Sequence, residues 1–210
     1  MLAQFITIGI LVLFSAMLPG PDFAIVTKNT LLHSRRAGIF TSIGIGSAII
    51  VHMTYCILGL AIVISQSIVL FNTIKYIGAI YLIYLGITTL LSKQSAKPAN
   101  TTVSRSHKTH LSDLTALRQG FVCNLLNPKA TLFFLALFTL IIKPETPLAW
   151  ELIYGIEIIL IAIGWFCLLT MILSHPRVIR LLNHIEHYIS KVLGVFLIGF
   201  GAALALVKQH

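Results

Sequence analysis

The sequence is short of charge. Only 10% of its 210 residues are Asp, Glu, Lys or Arg, and the carboxylates number six: Asp22, Asp113, Glu145, Glu151, Glu157 and Glu186. A soluble domain covers itself with about 25% charged residues, so a water-soluble globule is excluded. Disorder is excluded as well, because disordered chains are poor in hydrophobic residues, whereas this one is 57% hydrophobic with a mean hydropathy of +0.95. Cysteine is equally sparse. Cys56, Cys123 and Cys167 lie far apart, each inside an apolar stretch. With no C-x-x-C pair and no even count, they argue neither for a disulfide framework nor for a zinc site.

What the chain does have is long apolar runs. A spanning helix needs about 20 predominantly apolar residues, and six segments qualify: 3–27, 38–63, 68–91, 118–142, 149–173 and 189–207. Residues 1–18 have the apolar run of a signal peptide, but no Lys or Arg precedes it, so the segment reads as a retained span. The one long polar segment, Ser92 to Leu117, is rich in Ser, Thr and Lys and contains Pro98. It reads as a flexible connector between two halves of a single transmembrane domain, 1–91 and 118–210.

The formal net charge of +9 does not indicate nucleic acid, because the bases sit in short runs between apolar stretches. Of the fifteen Lys and Arg, eleven fall in segments 28–36, 92–118 and 174–191, only Lys75, Lys143 and Lys208 fall in the alternate ones, and Lys129 lies inside a span. Loops rich in these residues stay on the cytoplasmic side. The expected architecture is all-α and polytopic: six transmembrane helices with both termini outside, or five with the amino terminus inside where the broken first span fails to cross.

Two spans contain proline beside polar residues. The first carries Pro19-Gly20-Pro21-Asp22, and the fourth carries Asn124-Leu125-Leu126-Asn127-Pro128-Lys129. Span three opens on Lys75-Tyr76-Ile77-Gly78 and span six on Lys191-Val192-Leu193-Gly194, each before a similar apolar run. This spacing suits a duplicated three-span unit, and because three is odd the second copy is inverted. Interrupted helices at matching positions of inverted repeats point to the binding site of a secondary transporter; two unrelated proline kinks are the plainer reading. Proline removes a backbone donor and displaces the carbonyl a turn earlier. At membrane depth the freed groups survive only where protein or a wet cavity satisfies them, and a half-helix amino terminus attracts an anion.

At these residues the sequence resembles the lysine-exporter and homoserine/threonine-resistance family (LysE/RhtB). Pro19-Gly20-Pro21-Asp22-Phe23, followed by Arg35-Arg36-Ala37-Gly38 and a Gly-rich span, is similar to that family's opening. Tyr76 to Gly86 resembles its third-span motif, and Gln119 to Ala130 its fourth-span motif. The resemblance covers nearly the whole chain, apart from Ser92 to Leu117. It implies a multi-pass protein of the bacterial cytoplasmic (inner) membrane that exports amino acids or related metabolites and uses the proton gradient. It says little about which substrate is moved.

Several residues are candidates for the work. Asp22, a carboxylate beside a helix break, suits an ammonium or a proton, or else stabilises the positive start of the following half-helix. Lys129 sits near the middle of its span, where an unpaired ammonium costs about 3 kcal/mol or more. It is expected to pair with Asp22 or to meet a substrate carboxylate, with snorkelling to an interface as the alternative. Asn124 and Asn127 suit the orientation of a zwitterion, or plain interhelical hydrogen bonding. His52, with an unperturbed pKa of about 6.5, is either a proton relay or a core histidine satisfied by a carbonyl. Glu157 reads first as a side chain facing interfacial water and second as a proton acceptor. Tyr81 is a weak substrate contact. Gly38, Ser42 and Gly46 form a small-residue stripe that serves packing first and a homodimer second. His184, Glu186 and His187 resemble a loose metal pair but read as a solvated basic segment. No cofactor is indicated.

A membrane enzyme would show clustered ligands, a redox pair, or a nucleophile with its base, and none is present. An assembly protein has no need of charge at matching helix breaks. A passive channel is the nearest competitor. The reading is therefore a secondary transporter exporting small zwitterions by proton antiport, with Asp22, Asn124, Asn127, Lys129 and Tyr81 at the substrate, Asp22 and His52 moving protons, and Pro19, Gly20, Pro21 and Pro128 making the breaks. Its partners are the substrate, protons and the lipid bilayer, and not nucleic acid.

Overall fold

A computed structural model describes residues 2–66, 68–91, 111–141, 146–174, 191–192, 194–202 and 204–206. Most of the expected connector (92–110) and the segment holding His184, Glu186 and His187 lie outside these residues. All regular structure among the described residues is helical. The order is α1 (Leu2–Met17), α2 (Pro21–Leu32), α3 (Arg35–Gln66), α4 (Ile68–Leu91), α5 (Asp113–Leu125), α6 (Pro128–Ile141) and α7 (Leu148–Leu173). A further apolar helical stretch covers Gly194–Leu206.

Both proline breaks form where the sequence puts them. Helices α1 and α2 meet at 60°, and so do α5 and α6. At the first break Gly20 caps α2 and Pro21 occupies its first turn, where a missing N–H and a fixed φ cost nothing. At the second break Pro128 opens α6 in the same way. Asn127 Oδ1 there accepts from the Lys129 N–H at 3.0 Å, so the side chain supplies one of the acceptors that a helix start lacks. By length and composition, α3 over Arg35–Gly59 and α7 can each cross a bilayer, and each bent pair qualifies as one broken span. Helix α4 carries a shorter apolar stretch, Lys75–Thr88.

The hydropathy boundaries hold within a few residues for α3, α4 and α7. The fourth segment starts earlier than expected. Ser112 caps α5 by accepting from the Thr115 N–H at 3.2 Å, so residues from Asp113 onward, read as connector, are helix.

The core is built around α3, which packs along α5 and α7, while α1 lies against α7 and α4 against α6. Contact between α3 and α5 is backbone to backbone: a Cβ on Gly44 would collide with the Leu117 carbonyl, and one on Gly120 with the Thr41 carbonyl. The expected small-residue stripe has neighbours within the chain. Gly38 abuts Thr30 and Thr170, and Gly46 abuts Ile163. Aliphatic and aromatic side chains fill the interior, among them Ile45, Leu82, Phe134, Leu137, Tyr154 and Ile158. One end of the bundle gathers the exposed bases Lys28, Arg35, Arg36 and Arg118. At that end the Arg36 guanidinium forms a two-pronged pair with Asp113 at 2.7–3.0 Å. The opposite end joins α1 to α7 through the Tyr154 hydroxyl, which donates to Gln4 Oε1 at 3.2 Å.

Candidate functional site

A helix break leaves carbonyls without donors on one side and N–H groups without acceptors on the other. At both breaks in this protein the other half of the chain supplies a partner to the helix end. The open end of α1 is met by Lys129, whose ammonium donates to the carbonyls of Ser15 at 3.1 Å and Leu18 at 3.3 Å. At the end of α5 the Asn124 carbonyl, which already accepts from the Asn127 N–H at 3.0 Å, is also met by His52, whose Nε2 lies 3.2 Å away. A carbonyl only accepts, so Nε2 carries the proton. Nδ1 is hydrogen-bonded to the Tyr55 hydroxyl, and in the neutral ring Nδ1 is the acceptor. Phe134 lies beside the imidazole, ring centroids 5.4 Å apart, and His52 is buried.

Asp22 stands in the first turn of α2, where the helix dipole favours a negative charge. Its Oδ2 accepts from Asn124 Nδ2 at 3.0 Å and from Asn127 Nδ2 at 2.9 Å. Its Oδ1 is buried without a hydrogen-bond partner. Asn127 therefore acts twice, capping α6 through its oxygen and holding Asp22 through its nitrogen. Asn124 also acts twice, offering its carbonyl to His52 and its amide to Asp22, while its own Oδ1 is buried and unpartnered. A continuous polar chain runs Tyr55, His52, Asn124, Asp22, Asn127.

The Asp22 end of this chain lines a cavity of about 40 Å³, which has room for a few water molecules and too little for an amino acid. Asp22, Asn124, Asn127 and Lys129 form its polar wall, and Phe133, Phe134 and Phe166 are prominent in the apolar one. Lys129 reaches carbonyl oxygens and not the Asp22 carboxylate, so the ion pair expected between the two breaks is absent; the backbone acceptors of α1 take its place. Tyr81 lies half-buried on α4 and does not line the cavity. Glu157 is not turned to interfacial water: it is 8% exposed, and its Oε1 would lie 2.9 Å from a Cβ on Gly9 of α1.

Sequence reasoning did not find the Ser15 and Leu18 carbonyls or the role of Tyr55. The Ser15 carbonyl had a signal in Pro19, which lacks the N–H that a continuous helix would have offered it. Tyr55 had none beyond its three-residue spacing from His52. A second buried network also escaped it: Asn29 Nδ2 donates to Thr41 Oγ1 and Gln119 Oε1, both at 2.9 Å.

Interrupted apolar helices whose half-helix ends meet over buried charge point to a membrane translocator. The LysE type translocator family model matches residues 13–208, and the chain belongs to that family. It is 32% identical over 200 residues to the membrane protein YrhP of Bacillus subtilis, covering 90% of this chain and 92% of that one. It is 27% identical over 215 residues to the threonine efflux protein of Escherichia coli K12, covering 99% and 100%. With the leucine efflux protein of Salmonella typhimurium it shares 28% identity over 207 residues, covering 94% and 92%. No solved structure matches the chain.

Proposed function

We propose that this translocator exports an amino acid or related small zwitterion across the bacterial cytoplasmic membrane in exchange for protons. The observation that carries the reading is the divided carboxylate of Asp22: one oxygen is held by two carboxamides, and the other is buried without a donor beside a cavity. A substrate ammonium, or a proton, would satisfy that second oxygen. The substrate carboxylate would go to Lys129 and Asn127, with the Lys129 ammonium leaving the α1 carbonyls as the cavity widens. His52 would exchange protons with Asp22 through water admitted as the cavity widens. The names of the threonine and leucine efflux relatives support an amino acid as cargo and efflux as direction.

The proposal includes the architecture. Residues 1–91 and 118–210 would form two inverted repeats within one transmembrane domain, giving six spans with 92–117 joining them on the cytoplasmic side. Equal bends at both breaks support this, as do contacts that survive exchange of the halves: α1 against α7 mirrors α3 against α5, and α2 against α7 mirrors α3 against α6. Alternating access would then be motion of one half against the other around the site.

The test is reconstitution in liposomes with labelled amino acids under an imposed pH gradient. Wild-type protein is expected to move substrate against the proton flow, and Asp22→Asn to lose coupled flux by about a hundredfold. Undiminished coupled flux in Asp22→Asn would remove Asp22 from the mechanism. Flux that follows the substrate gradient alone would make the protein a passive channel.

A further inference from the structure

The proposed mechanism leaves one buried carboxyl unused. Glu157 lies about 14 Å along α7 from its start at Leu148, at 1.5 Å per residue, and is 8% exposed. Its Oε2 is enclosed without a hydrogen-bond partner. Gly9 of α1 makes the space for the carboxyl, since a Cβ there would sit 2.9 Å from Oε1.

Among the described residues the surroundings carry no counter-charge. Helix α1, which faces the carboxyl, contains no ionisable side chain, its polar groups being Gln4, Thr7 and Ser15. From α7 itself come Tyr154, whose hydroxyl donates to Gln4, and Glu151 a turn and a half nearer the helix start. Helix α3 meets this stretch of α7 where Met53 abuts Gly155. Its ionisable groups at that level are His52, Tyr55 and Cys56, and the first two are bonded to each other. The Arg36 and Asp113 pair lies at the other end of the bundle. An ionisable side chain enclosed by transmembrane helices is a functional group by default, and without a cation its natural ligand is a proton.

Position supplies the role. Helices α1 and α7 both wall the central cavity, through Val12, Ser15, Ala162 and Phe166. Glu157 and Gly9 stand about one turn further along the same two helices, away from the basic end. The carboxyl therefore lies between the cavity and the face opposite the bases.

We propose that Glu157 is a second proton-binding site, an outer station through which protons from the non-cytoplasmic side reach the Asp22 cavity. The step is a simple protonation: an O–H bond forms on the carboxylate as a proton arrives from the outer solution, and it breaks as the proton moves inward. No redox partner or co-reactant takes part. The inference rests on the proton-exchange reading above, and two measurements keep the two apart.

The first is infrared difference spectroscopy of reconstituted wild-type, Asp22→Asn and Glu157→Gln protein between neutral and acid pH. A carboxylic acid band that persists in Asp22→Asn and is lost in Glu157→Gln is expected. A spectrum unchanged by Glu157→Gln overturns the site. The second is the ratio of pH-gradient-driven flux to substrate exchange flux in liposomes, which corrects for the amount of folded protein. Glu157→Gln is expected to lower that ratio about tenfold, and Glu157→Asp, which keeps an ionisable group, to restore part of it. Equal behaviour of the Gln and Asp variants, or an unchanged ratio, overturns the proposal. Wild-type flux that ignores the gradient defeats proton exchange itself, and the infrared band then decides whether Glu157 binds a proton.

Discussion

The Lys129 ammonium donates to the Ser15 carbonyl at 3.1 Å, so a side chain from one broken helix closes the open end of the other. A hydrogen bond to a charged group contributes about 1.5–3 kcal/mol. Lys129→Met removes two such bonds and leaves the Ser15 and Leu18 carbonyls bare. Loss of about 2 kcal/mol or more is expected, read as the shift of the unfolding midpoint in mixed detergent. A midpoint equal to wild type would show that the carbonyls find other donors.

Asn127 separates two roles in one side chain. Asn127→Asp keeps the oxygen that caps α6 but sets a second carboxylate against Asp22 in place of a donor. Asn127→Ala loses the cap as well, which costs about 1 kcal/mol. Both variants should lose transport in the liposome assay, and the alanine variant should unfold more readily at acid pH, where the aspartate pair is relieved by protonation. The reverse order of stability at that pH would refute the capping role.

The His52 ring is fixed by the groups around it. Because the Asn124 carbonyl only accepts, nitrogen NMR of labelled protein should report a neutral imidazole protonated at Nε2. Tyr55→Phe removes the donor to Nδ1 and should move the Nδ1 resonance far more than the Nε2 one. A ring protonated at Nδ1 in wild type would invert the polar chain described for the site.

Glycines give a packing test with an internal control. Gly120→Ala drives a Cβ into the Thr41 backbone, and Gly44→Ala does the same at Leu117. Backbone cannot step aside as a side chain can, so each should cost about 1–3 kcal/mol. Gly164, beside which a Cβ would meet nothing within 4 Å, should accept alanine with no loss. Thermal unfolding in detergent compares the three.

Membrane topology is open to thiol labelling. In a background with Cys56, Cys123 and Cys167 replaced, a single cysteine at Ser34 or Ser174 should be protected from an impermeant reagent outside intact cells, and one at Leu2 or Leu148 should react. Labelling of Ser174 would reverse the assigned orientation.

Much of this arrangement was legible in the sequence because lipid leaves so few options. Apolar length alone placed α3, α4 and α7, and proline chemistry placed both bends, since Pro21 and Pro128 cannot continue a helix. Asp22, Asn124, Asn127 and Lys129 were recognisable together because polar groups in apolar spans need partners. What hydropathy did not carry was who the partners are. Lys129 bonds backbone carbonyls, and a one-letter sequence does not show a freed carbonyl. Glu157 read as an interfacial residue from its distance to the span end; only the glycine facing it on another helix explains its burial. Helix α5 began early because Ser112 caps it, a signal outweighed by the polar composition around it.

The contact between α3 and α5 has a mechanical consequence. Where Gly44 and Gly120 let main chain rest on main chain, nothing soft lies between the two rods to absorb a displacement. Any rocking of one half against the other must pivot on this seam, and the give that lets cargo through has to come from looser joints elsewhere in the bundle.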